Sequence, residues 1–272
     1  MKRPKRIGIM GCGAIGSGLA DYVHRHCQKH ASIRALYDVI SDKAIALEQR
    51  LGLTGVVCSS FERLIQRSDL IVEAVNAADT KILVRRIIEA KKDVLAMSVG
   101  KFLKAKALFR LAERRGCHLL FPSGAVAGLD AIKAARLAGI DRVTLTTRKP
   151  LSGLKGNPYF LKKGLDLSKI TTQTILYEGS VEEAVKLFPQ NINVAATIAL
   201  ASGMEDKLRV RLMTSPEYRR NSHEIEVHGA FGTLVTRTEN VVCPDNPKTS
   251  YLAVLSGIQA LKQFFETVRV GT

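Results

Sequence analysis

The hydrophobic positions in the first half of the chain form short continuous runs, separated by segments with one apolar face. The runs predict strands at residues 5–10, 33–37, 55–58, 70–75, 93–98 and 118–121. The intervening segments predict helices at 17–26, 42–51, 61–66, 80–90 and 104–115. Strands that are apolar throughout are typical of a parallel sheet covered on both faces. This half therefore predicts an open α/β domain.

The pattern changes after Pro122, where the small-residue stretch 123–128 begins. Polar and apolar positions then alternate, as in strands with one covered face. We predict strands at 142–148, 208–213 and 222–227, and helices at 129–137, 194–201 and 249–268. This region favours a mixed, largely antiparallel sheet with helices.

A glycine-rich turn joins the first predicted strand to the first predicted helix. The turn is Gly11-Cys12-Gly13-Ala14-Ile15-Gly16, a GxGxxG pattern in the strand–turn–helix context that dinucleotide binding requires. Gly11 permits the tight turn, Gly13 lets the backbone approach a pyrophosphate, and Gly16 lets the helix pack near the strand. The pyrophosphate would lie on the N–H groups at the helix N-terminus, those of Ala14 and Ile15 included.

Asp38 directly follows the second predicted strand, about 20 residues beyond the last glycine, where a ribose-binding carboxylate is expected. A carboxylate there accepts hydrogen bonds from the ribose hydroxyls and repels a 2′-phosphate, which favours NAD over NADP but leaves NADP open. An FAD site, or a glycine turn beside an ordinary surface aspartate, is the alternative. The ends of later strands, at 74–77, 98–101 and 123–127, are expected to line the same crevice.

Two domains account for these patterns. We predict a Rossmann-type NAD(P)-binding domain over residues 1–122 and a second α+β substrate domain with a mixed sheet over 123–248. The last segment, 249–272, is expected to pack back on the first domain. The fold class is α/β.

Composition narrows the functional class. The chain has 272 residues, of which 46% are hydrophobic and 24% charged, and no apolar run long enough to span a bilayer. Its five cysteines lack the spacing of a disulfide framework or zinc cluster, so we expect the protein to be located in the reducing cytoplasm.

The net charge of +16 suggests a nucleic acid or a small anion as partner. Because the basic residues are scattered along the chain without interleaved aromatics, we expect no nucleic acid.

Four segments of the second half, with the glycine turn, resemble L-aspartate dehydrogenase over essentially the whole chain. The segments are Phe121–Ala125, Phe188–Ala196, Asn221–Glu226 and Pro244–Ser250. The resemblance implies NAD- or NADP-dependent oxidation of L-aspartate to iminoaspartate. This product either hydrolyses to oxaloacetate and ammonia or enters quinolinate and NAD biosynthesis, by hand-over to quinolinate synthase.

The resemblance also implies site residues: His223 as the catalytic histidine, and Ala127 and Asn193 as cofactor contacts, with Asn191 close enough in the motif to compete with Asn193. A histidine can take the substrate's ammonium proton near neutral pH. From the residues alone, a histidine that merely packs within a strand stays open. A metal site is not expected, because His223 and His228 are five positions apart in a strand-like segment and would face opposite sides.

Substrate carboxylates require cationic or hydrogen-bonding partners. The candidates in the second domain are Arg148, Lys149, Lys155, Arg220 and Lys248, although the sequence alone favours surface charge over ligand binding for each of them. Thr249 and Ser250 are candidates for donating hydrogen bonds or for capping the last helix. A homoserine-type dehydrogenase, a non-catalytic NAD sensor and a nucleic-acid-binding protein are the alternative functions. A homodimer is expected, since symmetric dimers are the commonest oligomers.

Overall fold

The computed structural model describes residues 3–188, 193–244 and 246–271, without the side chains of 246–248. The chain folds as two compact units. The first contains the residues up to Pro122 together with Val254–Val270, and the second contains Ser123–Ala253. Most of the final predicted helix therefore belongs to the first unit. Within the described residues, every helix is too short or too polar to cross a lipid bilayer.

The first unit is built on a parallel five-stranded sheet with the strand order β2-β1-β3-β4-β5. Its strands are β1 (Lys5–Met10), β2 (Ala31–Tyr37), β3 (Leu70–Glu73), β4 (Asp93–Ala96) and β5 (Leu119–Leu120). Every residue of β3 and β4 is buried, because helices cover both faces of the sheet. The predicted open α/β fold is confirmed.

The helices of the first unit follow the predicted apolar faces closely. They are α1 (Ala14–His26), α2 (Ser41–Arg50), α3 (Phe61–Arg67), α4 (Thr80–Glu89), α5 (Lys106–Arg115) and α10 (Tyr251–Phe265). Helix α1 begins three residues earlier than predicted, and Gly16 lies in its first turn. Helix α10 begins two residues later than predicted, because Thr249 and Ser250 belong to a short strand.

The strand predicted at residues 55–58 was wrong. Only Val57 forms an isolated bridge with Leu36, beside the edge of β2. The backbone N–H groups of Val56 and Val57 instead donate to the Glu48 side chain, at 2.7 and 3.2 Å. A side chain thus occupies donors that a longer strand ladder would need.

The second unit contains a five-stranded mixed sheet with the order β10-β9-β6-β8-β7. Its strands are β6 (Ile140–Pro150), β7 (Thr174–Ser180), β8 (Arg209–Ser215), β9 (Asn221–Gly229) and β10 (Gly232–Asn240). Only the β6–β8 pair is parallel, which confirms the predicted mixed, largely antiparallel sheet. The two edge strands, β7 and β10, were not predicted. A separate two-stranded ribbon joins β11 (Val242–Cys243) to β12 (Asn246–Ser250).

One face of this sheet carries the core of the second unit. Its helices are α6 (Leu129–Ala138), α7 (Pro158–Lys162), α8 (Val181–Leu187) and α9 (Asn193–Ser202). Helices α6 and α9 pack on each other and on strands β9 and β6. Apolar side chains of alternate positions fill this face, among them Val143, Leu145, Ile225 and Val227. The face ends in a group of polar side chains, described below.

Candidate active site

The glycine turn after β1 has two glycines that the fold itself requires. Gly11 has a φ of 95°, and a Cβ added there would lie 2.5 Å from the Ala74 carbonyl oxygen. A Cβ added to Gly16 would lie 1.9 Å from the carbonyl oxygen of Gly11. Gly13 differs, because a Cβ added there would meet no described atom within 4 Å. The missing side chain of Gly13 therefore leaves open space beside the turn.

Helix α1 presents an anion-binding end at this turn. Gly13 precedes its first residue, no side chain caps it within the described residues, and its first turn contains no acidic residue. The N–H groups of Ala14, Ile15 and Gly16 belong to that first turn. Backbone donors and the helix dipole together favour a negatively charged ligand here. A pyrophosphate lying against Gly13 fits both the open space and these donors.

Asp38 is held rigidly beside the glycine turn. Its Oδ2 accepts the Cys12 N–H at 2.8 Å, and its Oδ1 accepts the Ile40 N–H at 2.9 Å. Burial, and then the Asp38 charge, raise the pKa of the Cys12 thiol to about 12, so this thiol stays protonated. The structure therefore brings the glycine turn and the predicted ribose-binding carboxylate together at one edge of the sheet. Glu73, which the sequence did not single out, lies at the same edge, at the end of β3.

His223 lies on β9, within the polar end of the covered sheet face. Its side chain is buried, and its Nδ1 lies 3.0 Å from Oγ1 of Thr147 on the neighbouring strand β6. Thr147 and Thr238 are its directly paired residues on the two adjacent strands. Paired residues share a face, so both threonines flank the histidine. Neither threonine could be singled out from the sequence, because their positions beside His223 depend on the strand register.

Lys149 lies on the same face, two residues beyond Thr147. Burial lowers the pKa of Lys149 to about 8. The pKa of His223 falls to about 4, first through burial and then through the nearby Lys149 charge. At neutral pH the face thus holds an uncharged imidazole beside a largely protonated amine. An uncharged imidazole can accept a proton, and a cation beside it favours an anionic substrate.

The small-residue loop after Pro122 is bound to strand β10. The Ala125 carbonyl accepts hydrogen bonds from Thr238 Oγ1 at 2.9 Å and Asn240 Nδ2 at 3.0 Å. The Ala127 carbonyl accepts one from Thr236 Oγ1 at 3.2 Å. Because Thr238 is paired with His223, the loop runs along the strand beside the histidine.

Asn193, the other predicted cofactor contact in this unit, is the first residue of α9. The start of α9 lies near the same loop, since a Cβ added to Gly124 would be 3.9 Å from Val194. The competing residue Asn191 lies outside the described residues. Ala127, Asn193 and His223 thus belong to neighbouring segments of the second unit.

The basic residues predicted to bind the substrate carboxylates do not lie together in the structure. Arg148 alternates with Lys149 along β6, faces the opposite side of the sheet, and pairs with Glu224 at 3.3 Å. Lys155 and Arg220 are exposed, and the side chain of Lys248 lies outside the described part of the chain. Of the four candidates whose side chains the structure describes, only Lys149 shares the face of His223.

The histidine pair of β9 does not form a metal site. His228 lies on the opposite face from His223 and contacts the Glu226 carboxylate. Among the described side chains of residues 3–188, 193–244 and 246–271, no three His, Cys, Asp or Glu residues form a group that could hold a metal ion.

Two family models match this chain, one in each half. Residues 11–122 match the family model described as homoserine dehydrogenase, NAD binding domain. Residues 130–264 match the model described as aspartate dehydrogenase, C-terminal. The second match covers the strands that carry Lys149 and His223. The first supports NAD as the cofactor of the glycine turn.

Similar proteins extend over nearly the whole chain. It is 44% identical to an L-aspartate dehydrogenase of Methanosarcina barkeri and 43% identical to one of Methanosarcina mazei, each over 98% of this chain and 99% of the relative. Its fold is similar to the crystal structure of an aspartate dehydrogenase from Thermotoga maritima, with a TM-score of 0.74 and 25% identity over 99% of this chain and 100% of the other. The chain therefore belongs to the L-aspartate dehydrogenase family.

Proposed function

We propose that this enzyme oxidises L-aspartate to iminoaspartate with NAD, using His223 as the acid–base group. The observation that carries the proposal is the buried, uncharged His223 beside the cationic Lys149, in the region that matches the aspartate dehydrogenase model. An oxidation of this kind needs a proton acceptor for the ammonium group and a cation for a carboxylate. The covered sheet face supplies both.

The reaction removes one hydride and one proton from the substrate. The chemistry that bound NAD would supply is an acceptor for the hydride that leaves the substrate Cα. Nδ1 of His223 is engaged with Thr147, so Nε2 is the nitrogen that accepts the ammonium proton. Lys149 holds one substrate carboxylate and thereby orients the Cα–N bond. In the reverse direction, reductive amination, the imidazolium returns the proton.

Iminoaspartate formed by the oxidation hydrolyses to oxaloacetate and ammonia, or feeds quinolinate synthesis by transfer to quinolinate synthase.

The cofactor site of this proposal comprises Gly11, Gly13, Ala14, Ile15, Gly16 and Asp38. Ala127 and Asn193 are proposed as cofactor contacts from the family resemblance. The fixed carboxylate of Asp38 supports NAD, because a 2′-phosphate beside it would be repelled. Neutral hydroxyls of the NAD ribose can instead donate to it.

We further propose a cytoplasmic homodimer. All five cysteines are free, which agrees with a reducing compartment. Symmetric dimers are the commonest oligomers of soluble enzymes. Light scattering of the purified protein measures the oligomeric state directly.

Substrate specificity tests the proposed reaction. The purified chain is supplied with NAD or NADP and with L-aspartate, homoserine, glutamate or alanine, and NADH or NADPH formation is followed by absorbance. We expect turnover with L-aspartate and NAD. Turnover with homoserine alone would identify a homoserine-type enzyme. Tight NAD binding without turnover of any of the four substrates would favour a sensor.

Two glycine variants test the pyrophosphate position. The Gly16→Ala methyl would collide with the Gly11 carbonyl, so we expect a loss of about 1–3 kcal/mol in unfolding free energy as well as weaker NAD binding. Gly13→Ala meets open space on extended backbone, so its Tm should stay unchanged while the Kd for NAD rises at least about 10-fold. Calorimetry measures both quantities. Wild-type NAD affinity in Gly13→Ala would show that the pyrophosphate lies elsewhere.

A further inference from the structure

Glu73 is a fully buried carboxyl group at the carboxyl end of β3. Its Oε1 accepts the Val75 N–H at 2.9 Å. Its Oε2 accepts the Ser98 N–H at 3.2 Å and the Ser98 hydroxyl at 2.6 Å. Val75 follows β3 and Ser98 follows β4. One carboxyl group therefore accepts hydrogen bonds from both of the loops that follow these neighbouring strands.

The partners of Glu73 match an ionised carboxylate. Burial raises the pKa of Glu73 above its usual value, and the bonds from Ser98 and Val75 and the charge of Lys101 offset that rise only in part. All three hydrogen-bonding partners are donors here, and a carboxylate accepts on both oxygens. A glutamine could not do so, because its amide nitrogen would face a donor. The position thus requires an acid, although burying one in a sheet is costly.

The strand order places Glu73 on a defined side of the cofactor site. Strand β2, with Asp38 at its end, lies on one side of β1, and strands β3 and β4 lie on the other. If Asp38 held the adenosine ribose and Gly13 the pyrophosphate, the ends of β3 and β4 would be the part of the sheet left to hold the nicotinamide half. The loop after β3 also abuts the glycine turn, since the Ala74 N–H donates to the Met10 carbonyl at 2.8 Å.

We propose that Glu73 is a positioning residue for the nicotinamide half of the cofactor. It does not touch the cofactor; it fixes the backbone at Val75 and Ser98, so that residues 74–77 and 98–101 form the surface on which the nicotinamide ribose and ring lie. This inference rests on the proposed function, because it assumes that NAD occupies the glycine turn.

The test compares two ligands that share the adenosine half. ADP carries the adenosine and pyrophosphate, whereas NAD adds the nicotinamide ribose and ring. In Glu73→Gln one backbone donor faces an amide nitrogen, so we expect the Kd for NAD to rise about 10-fold while the Kd for ADP stays within about twofold. Titration calorimetry of the full-length protein measures both constants, and its Tm is recorded in parallel.

Glu48→Gln is the matched control. The Glu48 carboxylate also accepts hydrogen bonds from two backbone N–H groups. These belong to Val56 and Val57, which lie beside β2. We expect this variant to lower the Tm without changing the ratio of the two dissociation constants. An equal loss of NAD and ADP affinity in Glu73→Gln, or a lower Tm with both affinities intact, would overturn the positioning role.

Ser98→Ala serves if Glu73→Gln does not fold. It removes only the hydroxyl donor, so we expect about a threefold loss of NAD affinity with ADP binding unchanged. Unchanged affinity for both ligands would then count against the proposal. Wild-type protein that binds neither ADP nor NAD would instead refute the proposed cofactor site, which keeps the two failures distinct.

Discussion

Replacing His223 with asparagine is expected to lower kcat for aspartate oxidation by about 10²–10⁴-fold, the range for loss of a general acid–base group. Asparagine is polar and smaller, so it can still hydrogen-bond to Thr147, but it cannot accept the ammonium proton. The Kd for NAD should stay near its wild-type value, because the glycine turn and Asp38 lie in the other unit of the chain. Steady-state kinetics and NAD titration measure the two effects separately.

His228→Asn is the control for this substitution. His228 lies on the same strand but on the opposite sheet face, where it contacts Glu226. We expect its kcat to remain within about twofold of wild type, since a strand presents successive side chains to opposite faces. A His223→Asn enzyme with wild-type kcat would show that another group accepts the proton.

Replacing Lys149 with methionine is expected to raise the KM for L-aspartate about 100-fold, in line with the loss of a buried charge-assisted contact. Methionine preserves much of the buried volume while removing the charge. A second effect follows, because the Lys149 charge lowers the pKa of His223 from 6.5 towards its value of about 4. Without that charge the His223 pKa rises, so the loss of kcat/KM on acidification should begin at a higher pH than in the wild type.

Profiles of kcat/KM against pH, from acidic to neutral conditions, measure the direction of this shift. Burial remains in the variant and is the larger cause of the low His223 pKa, so the acid limb should still lie below pH 6.5. Arg148→Met is the matched control, because Arg148 is the adjacent residue of β6 but pairs with Glu224 on the other face. A profile that does not move in Lys149→Met would mean that the lysine charge does not act on His223.

The candidate cofactor site was largely predictable from local sequence. The turn from Gly11 to Gly16 follows an apolar strand directly, and Asp38 directly follows the next strand along the chain. Residues so close in sequence are arranged by one β-α-β unit, whose geometry is set by glycine conformation and the right-handed crossover. The contacts of Glu73 were not predictable, because its donors lie in loops that follow two different strands.

The candidate site around His223 was not predictable in this way, because its composition depends on the register of the strands. Edge strands β7 and β10 were missed because neither has the apolar pattern of a strand covered on one face; in β10, only Asn240 is buried. The order of strands also placed Thr147 beside His223, although they are 76 positions apart in the chain. Motif resemblance indicated His223, but only strand pairing supplied its neighbours.

The sequence by itself determined the alternation of strands and helices, the dinucleotide turn and the acid at the end of β2, because these are encoded in hydrophobic period and in glycine positions a few residues apart. Tertiary structure alone decided between Arg148 and Lys149, which are adjacent in sequence and both basic. Since side chains alternate across a strand, a shift of one residue in the register of β6 would exchange their faces. The pairing of β6 with β8 and β9 fixes that register, and with it the cation that lies beside His223.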